Sequence, residues 1–518
     1  MTALNAISFI GIFGLCAIAW LFSENRNPKY FPWRVVVMGI LLQLALGALV
    51  FIVPITRDIL QGFSNVLNVV FDAADAGARF VFGPNIVPVP NQQPAVNLGY
   101  IFAFRALPAV IFFSGFMALL YNLGIIQVIT NLFAIIFYRV MRLSGAESLS
   151  GAANIFVGIE AALVVKPFLA KMTRSELLAI LACCFGTAAS STLAIYVNFL
   201  RPVFPNILGH LVSASIMAIP ACFVLSKILL PETELPLTAG SLPQDDVLLE
   251  DENVETTIDG ERIERVSPMD AMIAGVMDGV RMAIAIAAVL ILILGLVYLI
   301  NAFFGWLTDL PEPVGGFFKV VTLQNILGAL FLPLTVLTGV SLDWPELWAS
   351  SVIIGRRLFE TAIPPYQSLA LAADQGILSD RALVIVSYAL SGFAHLASVG
   401  IFVGGVAALI PSRRKDVSEL GWKALFIGTL ATLMIACVAG VYYGLFGITP
   451  RSILGEPAPQ TTPPSPTSPA SPATPAPAGT PSSPVPVSPG PAPVGGVPSS
   501  GPNAISPEPM SVLVAPRI

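Results

Sequence analysis

The segment Ser148–Lys171, SLSGAANIFVGIEAALVVKPFLAK, is apolar enough for a bilayer yet gathers Asn154, Gly158 and Glu160 within seven residues. A carboxylate at membrane depth costs about 2.5–3.5 kcal/mol on insertion scales, so Glu160 must face a cavity or a partner. Three roles fit it: a ligand for substrate hydroxyls, a proton carrier, or a structural acid paired to a lysine of the same segment. Asn154, with Thr187 and Ala188 further along the chain, offers an amide oxygen, a hydroxyl and carbonyls freed at a helix end. That hard-oxygen set suits Na+. The same residues suit a plainer arrangement, in which Asn154 caps a helix and Thr187 bonds back to its own turn.

A second group lies later in the chain. Glu360, in FETAI, stands four residues after Arg356. That spacing makes an intrahelical ion pair, and a direct role in binding is the alternative. His395, one of two histidines, sits beside Gly392 and Ser398 and reads either as a substrate contact or as a satisfied interhelical hydrogen bond. The sequence carries no Walker motif, GxSxG elbow, HExxH or dinucleotide fingerprint, so nothing supports ATP-driven transport or covalent catalysis, and the chain does not read as an enzyme. The five cysteines lie in apolar stretches without ligand spacing and read as small apolar fillers.

The elements that must position these residues are membrane helices. Of 518 residues, 55% are hydrophobic and 11% charged, and mean hydropathy is +0.82; soluble chains average about 25% charged. The net charge of −5 gives no nucleic-acid signal. Stretches of spanning length, roughly 17–25 residues, fall at Leu4–Phe22, Val35–Val53, Ile101–Leu120, Ser175–Leu200, Leu211–Leu230, Met282–Phe304, Ala382–Ile410 and Trp422–Leu445. The first lacks the basic start and cleavage site of a signal peptide and reads as a retained span. Shorter or broken apolar stretches lie at Phe63–Phe82, Ile126–Met141, Ser148–Lys166, Leu323–Gly339 and Ser350–Ala373. The expected fold is therefore an all-α polytopic membrane protein with about eight transmembrane helices, two re-entrant hairpins and interfacial helices.

Two regions share a layout: an interfacial helix, a broken hairpin with one central acid (Glu160 or Glu360), and a polar-interrupted span. Eight spans place the two units on opposite sides, and inverted repeats of this kind set a transport site at the bilayer midplane. The expected organisation is scaffold helices over 1–125, a first repeat over 126–230, an acidic cytoplasmic loop over 231–267, a scaffold helix over 268–322, a second repeat over 323–447 and a disordered Pro/Ser/Ala-rich tail over 448–518. Basic residues around Arg26–Arg34, Arg139–Arg142, Lys166–Arg174 and Arg413–Lys415 fall on one side, which puts both termini outside.

From residue 1 to about 447 the chain resembles the concentrative nucleoside transporter family. The resemblance is carried by GYIFAFR at 99–105, AES at 146–148 leading into AANIFVG at 152–158, KMTRSEL at 171–177, SGFA at 391–394, Gly404-Gly405 and PSRR at 411–414. It implies eight core spans, two re-entrant hairpins, a homotrimer in the lipid bilayer of the bacterial inner membrane and cation-coupled nucleoside uptake. It further implies a Na+ site at Asn154, Val157, Thr187 and Ala188, with Na+ as the coupling ion. Glu160 looks like the family's hairpin acid, although the Gln and Thr that precede it in the family are missing. In the second hairpin Thr361, Ala362 and Ile363 stand where the family has Asn-Glu-Phe, leaving Glu360 two residues early as the only nearby acid. Phe393 and Ser398 match the seventh span, and His395 replaces an Asn. The expectation is a sodium-coupled nucleoside symporter whose substrate contacts are Glu160, Phe393, His395, Ser398 and Glu360. Proton-coupled symport of a nucleoside-like solute and a binding protein without transport are the alternatives.

Overall fold

The structure is a computed structural model and describes residues 2–53, 62, 69–70, 72–89, 101–156, 158–239, 255–256, 262–263, 267–311, 314–319, 321–445 and 453–454. Among these the fold is helical, apart from a two-residue antiparallel ladder joining Glu255–Thr256 to Arg262–Ile263 in the acidic segment. Most of that segment, and the Pro-rich tail, lie outside the described residues.

Helix α1 (Ala3–Leu21) starts at a capping box between Thr2 and Asn5, and α2 (Trp33–Phe51) follows the Pro28–Tyr30 turn. After the short turn Phe102–Arg105 come α3 (Leu107–Asn122) and α4 (Ile125–Met141). The first hairpin is α5 (Gly145–Ala153), a 3-10 segment Ile159–Val165 and a single turn Lys166–Leu169. Then follow α6 (Arg174–Gly186), α7 (Ser190–Leu200) and α8 (Ile207–Leu229). The long α9 (Pro268–Leu307) leads to α10 (Leu323–Thr338) and to the second hairpin, α11 (Trp344–Glu360) with α12 (Ile363–Asp374). The chain closes with α13 (Asp380–Leu390), α14 (Leu396–Leu409) and α15 (Arg414–Tyr442).

Among the described residues six helical stretches are long and apolar enough to cross a membrane, and each overlaps an expected span. The other two expected spans, Ser175–Leu200 and Ala382–Ile410, are not continuous: each is cut into two helices, α6 with α7 and α13 with α14. The physical reason lies in the residues at the cuts. Thr187 leaves the helix with φ −112° and ψ 170°, and His395 enters the next with φ −142° and ψ 159°, both extended backbone. Exposed backbone polar groups are tolerated at such depth only where protein or a wet cavity surrounds them.

The core is built on α8 and α15, which are buried along nearly their whole length. On α9, by contrast, Ile284, Ile291, Leu292 and Leu299 are exposed, an apolar face suited to lipid. α9 meets α3 through Gly275 and Gly279, where an added Cβ would lie 2.8 Å from Ser114 O or from Ile111 Cα. Small residues four apart let two helix backbones approach this closely.

The continuous α15 gives the two broken spans their directions. Arg174, at the start of α6, pairs with Asp416 and Glu419 near the start of α15, at 3.3 and 2.9 Å. Arg381, at the start of α13, donates to Gly440 O near the opposite end, at 3.1 Å. The two broken spans therefore run in opposite directions through the bundle. Lys423 also pairs with Glu24, and Arg413 donates to Met172 O, so three of the basic clusters meet at one end.

Candidate functional site

The first hairpin is fixed at its base. Ser144 caps α5 in a capping box with Glu147, and Thr173 caps α6 in the same way with Glu176. Buried Lys227 of α8 pairs with Glu147 and with Glu232, the latter at 3.2 Å. α5 then runs only nine residues before its helix ends at Asn154, and the return arm folds back on it, Ser150 Oγ donating to Ala161 O at 3.1 Å.

Asn154 is fully buried. Its Nδ2 donates to Ser150 O at 3.1 Å, closing the helix end, while its Oδ1 has no partner. Buried side-chain acceptors are normally hydrogen-bonded, so this one is an exception. Across from it α6 ends at Thr187, whose hydroxyl donates to Cys183 O at 2.8 Å and keeps its lone pairs. Ala188 follows in unwound, fully buried backbone. The two breaks are neighbours: Cys184 Sγ approaches Gly158 O at 4.0 Å. Asn154 and Thr187 thus each make the local bond of the plainer arrangement. Val157 lies outside the described residues. Glu160 falls in the 3-10 segment, and its side chain lies outside them too.

The second broken span brings its residues against the first. Phe393 N–H donates to Thr187 O at 3.2 Å. Gly392 packs so closely that an added Cβ would lie 2.7 Å from Gly186 O and 2.8 Å from Phe185 O. His395 is the N-cap of α14, its Nδ1 accepting from Ser398 N–H at 3.3 Å, and it stands edge-on to Phe393 with centroids 6.0 Å apart. Ser398 Oγ lies 3.1 Å from the imidazole. Phe393, His395 and Ser398 therefore form one group at the break, adjoining Thr187.

Glu360 is placed differently. It is buried at the end of α11, with Oε2 held by Arg356 at 2.8–2.9 Å and Oε1 accepting from Gln324 Nε2 at 3.0 Å. Gln324 in turn accepts from Asn301 of α9 at 2.8 Å, and Arg356 reaches Ser368 on the other arm of the hairpin at 2.8 Å. Of the two roles open to Glu360 from sequence, the geometry shows the ion pair: both oxygens are engaged, and they tie the hairpin to the scaffold. The next residue, Thr361, turns the hairpin at φ +70° and ψ −178°. A β-branched residue there costs on the order of 1–3 kcal/mol.

Sequence reasoning passed over Arg357 and Gln324. Arg357 is wholly buried, with Nη1 on Ala389 O and with Nε and Nη2 unpartnered. The doubled arginine was the only signal for it, since two neighbours about 100° apart on a helix cannot both face Glu360. Gln324 left no distinguishing pattern.

Comparison with known proteins now decides the family. Residues 10–85 match the N-terminal and 210–440 the C-terminal model of the Na+ dependent nucleoside transporters, and residues 103–203 match a nucleoside recognition gate model. The chain belongs to the concentrative nucleoside transporter family. It is 33% identical over 445 residues to the nucleoside permease NupC of Helicobacter pylori, covering 85% of this chain and 98% of that one. With an uncharacterized transporter of Haemophilus influenzae identity is 36% over 444 residues, covering 85% and 98%. With mouse sodium/nucleoside cotransporter 1 it is 31%, covering 85% of this chain and 65% of the mouse protein. The solved structure of CNTnw in an inward-facing substrate-bound state is 35% identical with a TM-score of 0.74, covering 86% of this chain and 99% of CNTnw. This is a multi-pass membrane transporter of the nucleoside transporter family, and not an enzyme.

Proposed function

We propose that the protein is a Na+-coupled nucleoside symporter. The observation that carries this reading is the buried, unpartnered Oδ1 of Asn154 in the first hairpin, whose Gly158 O lies 4.0 Å from Cys184 Sγ, one turn before the unwound Thr187–Ala188 backbone. Asn154, Thr187, Ala188 and Val157 would hold the cation through oxygen, and the bound charge would offset the stranded acceptor. The substrate would lie beside them, against Phe393, His395, Ser398 and Glu160, with Glu360 bracing the second hairpin instead of gripping the ligand. Membership of a family whose models are described as Na+ dependent supports the choice of ion. The family resemblance also supports a homotrimer in the bacterial inner membrane with both termini outside. Transport would alternate by movement of the hairpins and their broken spans against the continuous helices.

Uptake of a panel of labelled nucleosides into proteoliposomes, with and without a Na+ gradient, tests this. Saturable uptake that needs Na+ supports it. Uptake that persists with choline in place of Na+ and follows an imposed pH gradient replaces it with proton coupling. Binding without flux leaves a ligand-binding membrane protein.

A further inference from the structure

Arg357 is the largest fully buried side chain among the described residues, and it has no role in the cation site or in the Glu360 brace. It lies one turn before the tip of the second hairpin and spends only Nη1, on the Ala389 carbonyl just before the break between α13 and α14. Nε and Nη2 have no partner. These two N–H groups share one edge of the planar guanidinium and point the same way, so together they take two neighbouring acceptors. A buried guanidinium without a partner is costly.

Nothing described nearby answers that need. Glu360, on the same helix, is closed by Arg356 and Gln324. His395, within electrostatic reach of Arg357, already accepts from Ser398 N–H at Nδ1. Tyr196 and Tyr366, stacked with centroids 4.3 Å apart, flank the charge, and Tyr366 donates its hydroxyl to Ser387 O at 2.8 Å. Ala389 O just precedes the second break, which packs on the first through Phe393 and Gly392, so Arg357 belongs to the region where the two broken spans meet.

We infer that Arg357 is a specificity-determining residue whose Nε–Nη2 edge reads a nucleobase presenting two adjacent hydrogen-bond acceptors. This rests on the nucleoside reading above. Inosine and guanosine carry such a pair as O6 with N7, the one arginine uses to read guanine in DNA. Cytidine carries it as N3 with O2. Adenosine sets an amino donor beside each acceptor of its outer edges, and uridine sets N3–H between its two oxygens. The edge is enclosed in the present conformation, so the base reaches it when α11 shifts against α13 and α14.

Competition against a transported nucleoside in proteoliposomes, using the full-length protein, tests this with two matched pairs, inosine against adenosine and cytidine against uridine. 7-Deazainosine separates the purine arm by deleting N7. The expected result is discrimination of about tenfold or more within at least one pair, the scale of a bidentate arginine contact. In Arg357→Lys, which keeps the charge but loses the paired donors, that ratio falls toward one. A ratio within one preparation is insensitive to the fraction of protein that folds. Equal affinity within both pairs, or a ratio unchanged in Arg357→Lys, overturns the assignment and leaves the nucleoside reading intact. Failure of every nucleoside to compete or to be taken up overturns both.

Discussion

The two hairpins share a plan and differ in what they leave unpaired. In the first, the tip strands an acceptor, Asn154 Oδ1, while Nδ2 of the same amide donates to Ser150 O. In the second, the arm strands two donors, Arg357 Nε and Nη2, while the acid at its tip is fully engaged. The first hairpin thus leaves an acceptor unmet and the second leaves two donors. Buried polar groups are expensive to leave unmade, and under the reading proposed above the first hairpin would take a cation and the second an acceptor-rich organic molecule.

This contrast can be broken or sharpened by mutation. The largest effect is expected for Glu360→Ala, which strands Arg356 and Gln324 together. Breaking a buried pair costs about 3 kcal/mol or more, so the melting temperature in detergent should fall sharply while relative preference among nucleosides stays the same. A normal melting temperature with lost uptake would instead give Glu360 to the ligand. Next, Asn154→Ala removes the stranded acceptor. Losing a hydrogen bond to a charge costs about 1.5–3 kcal/mol, so the Na+ concentration for half-maximal uptake should rise roughly tenfold to a hundredfold, and the stabilisation by Na+ in a thermal-shift assay should shrink. If Na+ stabilises the variant as well as the parent, the cation does not sit there.

Gly392→Ala should cost about 2 kcal/mol, because its methyl would press on the Phe185 and Gly186 carbonyls, which are backbone and cannot swing away. Both Na+ and nucleoside affinities should weaken together, since the change forces the two breaks apart. The smallest effect is Thr361→Gly. Relief of the positive-φ strain should stabilise the protein by about 1 kcal/mol, seen as a higher melting temperature, with faster loss of ligand where the strained turn holds the hairpin in its binding shape.

Much of the fold was legible because apolar length and interruption are composition-level signals. Leu211–Leu230 and Trp422–Leu445 largely coincide with helices of the core, and the short Ser148–Lys166 stretch is broken after Asn154. The expected continuous spans Ser175–Leu200 and Ala382–Ile410 were less well read, since Thr187, Gly392 and His395 are each tolerated inside helices, and only the packing of one break on the other holds both open. The site residues were legible as types but not as partners. That Arg356 faces Glu360 followed from a four-residue spacing. That Gln324 and Asn301 complete the same acid's shell depends on contacts between helices, about which a single sequence is silent. Arg357 was missed for the same reason: its importance is that nothing meets it.

The hydrogen bond from Phe393 N–H to Thr187 O joins a residue proposed to touch the substrate to the backbone proposed to hold the ion. Any change in that carbonyl's orientation on one side is felt as a change in ring position on the other. By thermodynamic reciprocity, whatever factor sodium adds to nucleoside affinity, the nucleoside must add to sodium affinity. If the proposed coupling holds, a leak of either solute alone would require the two breaks to part at this bond.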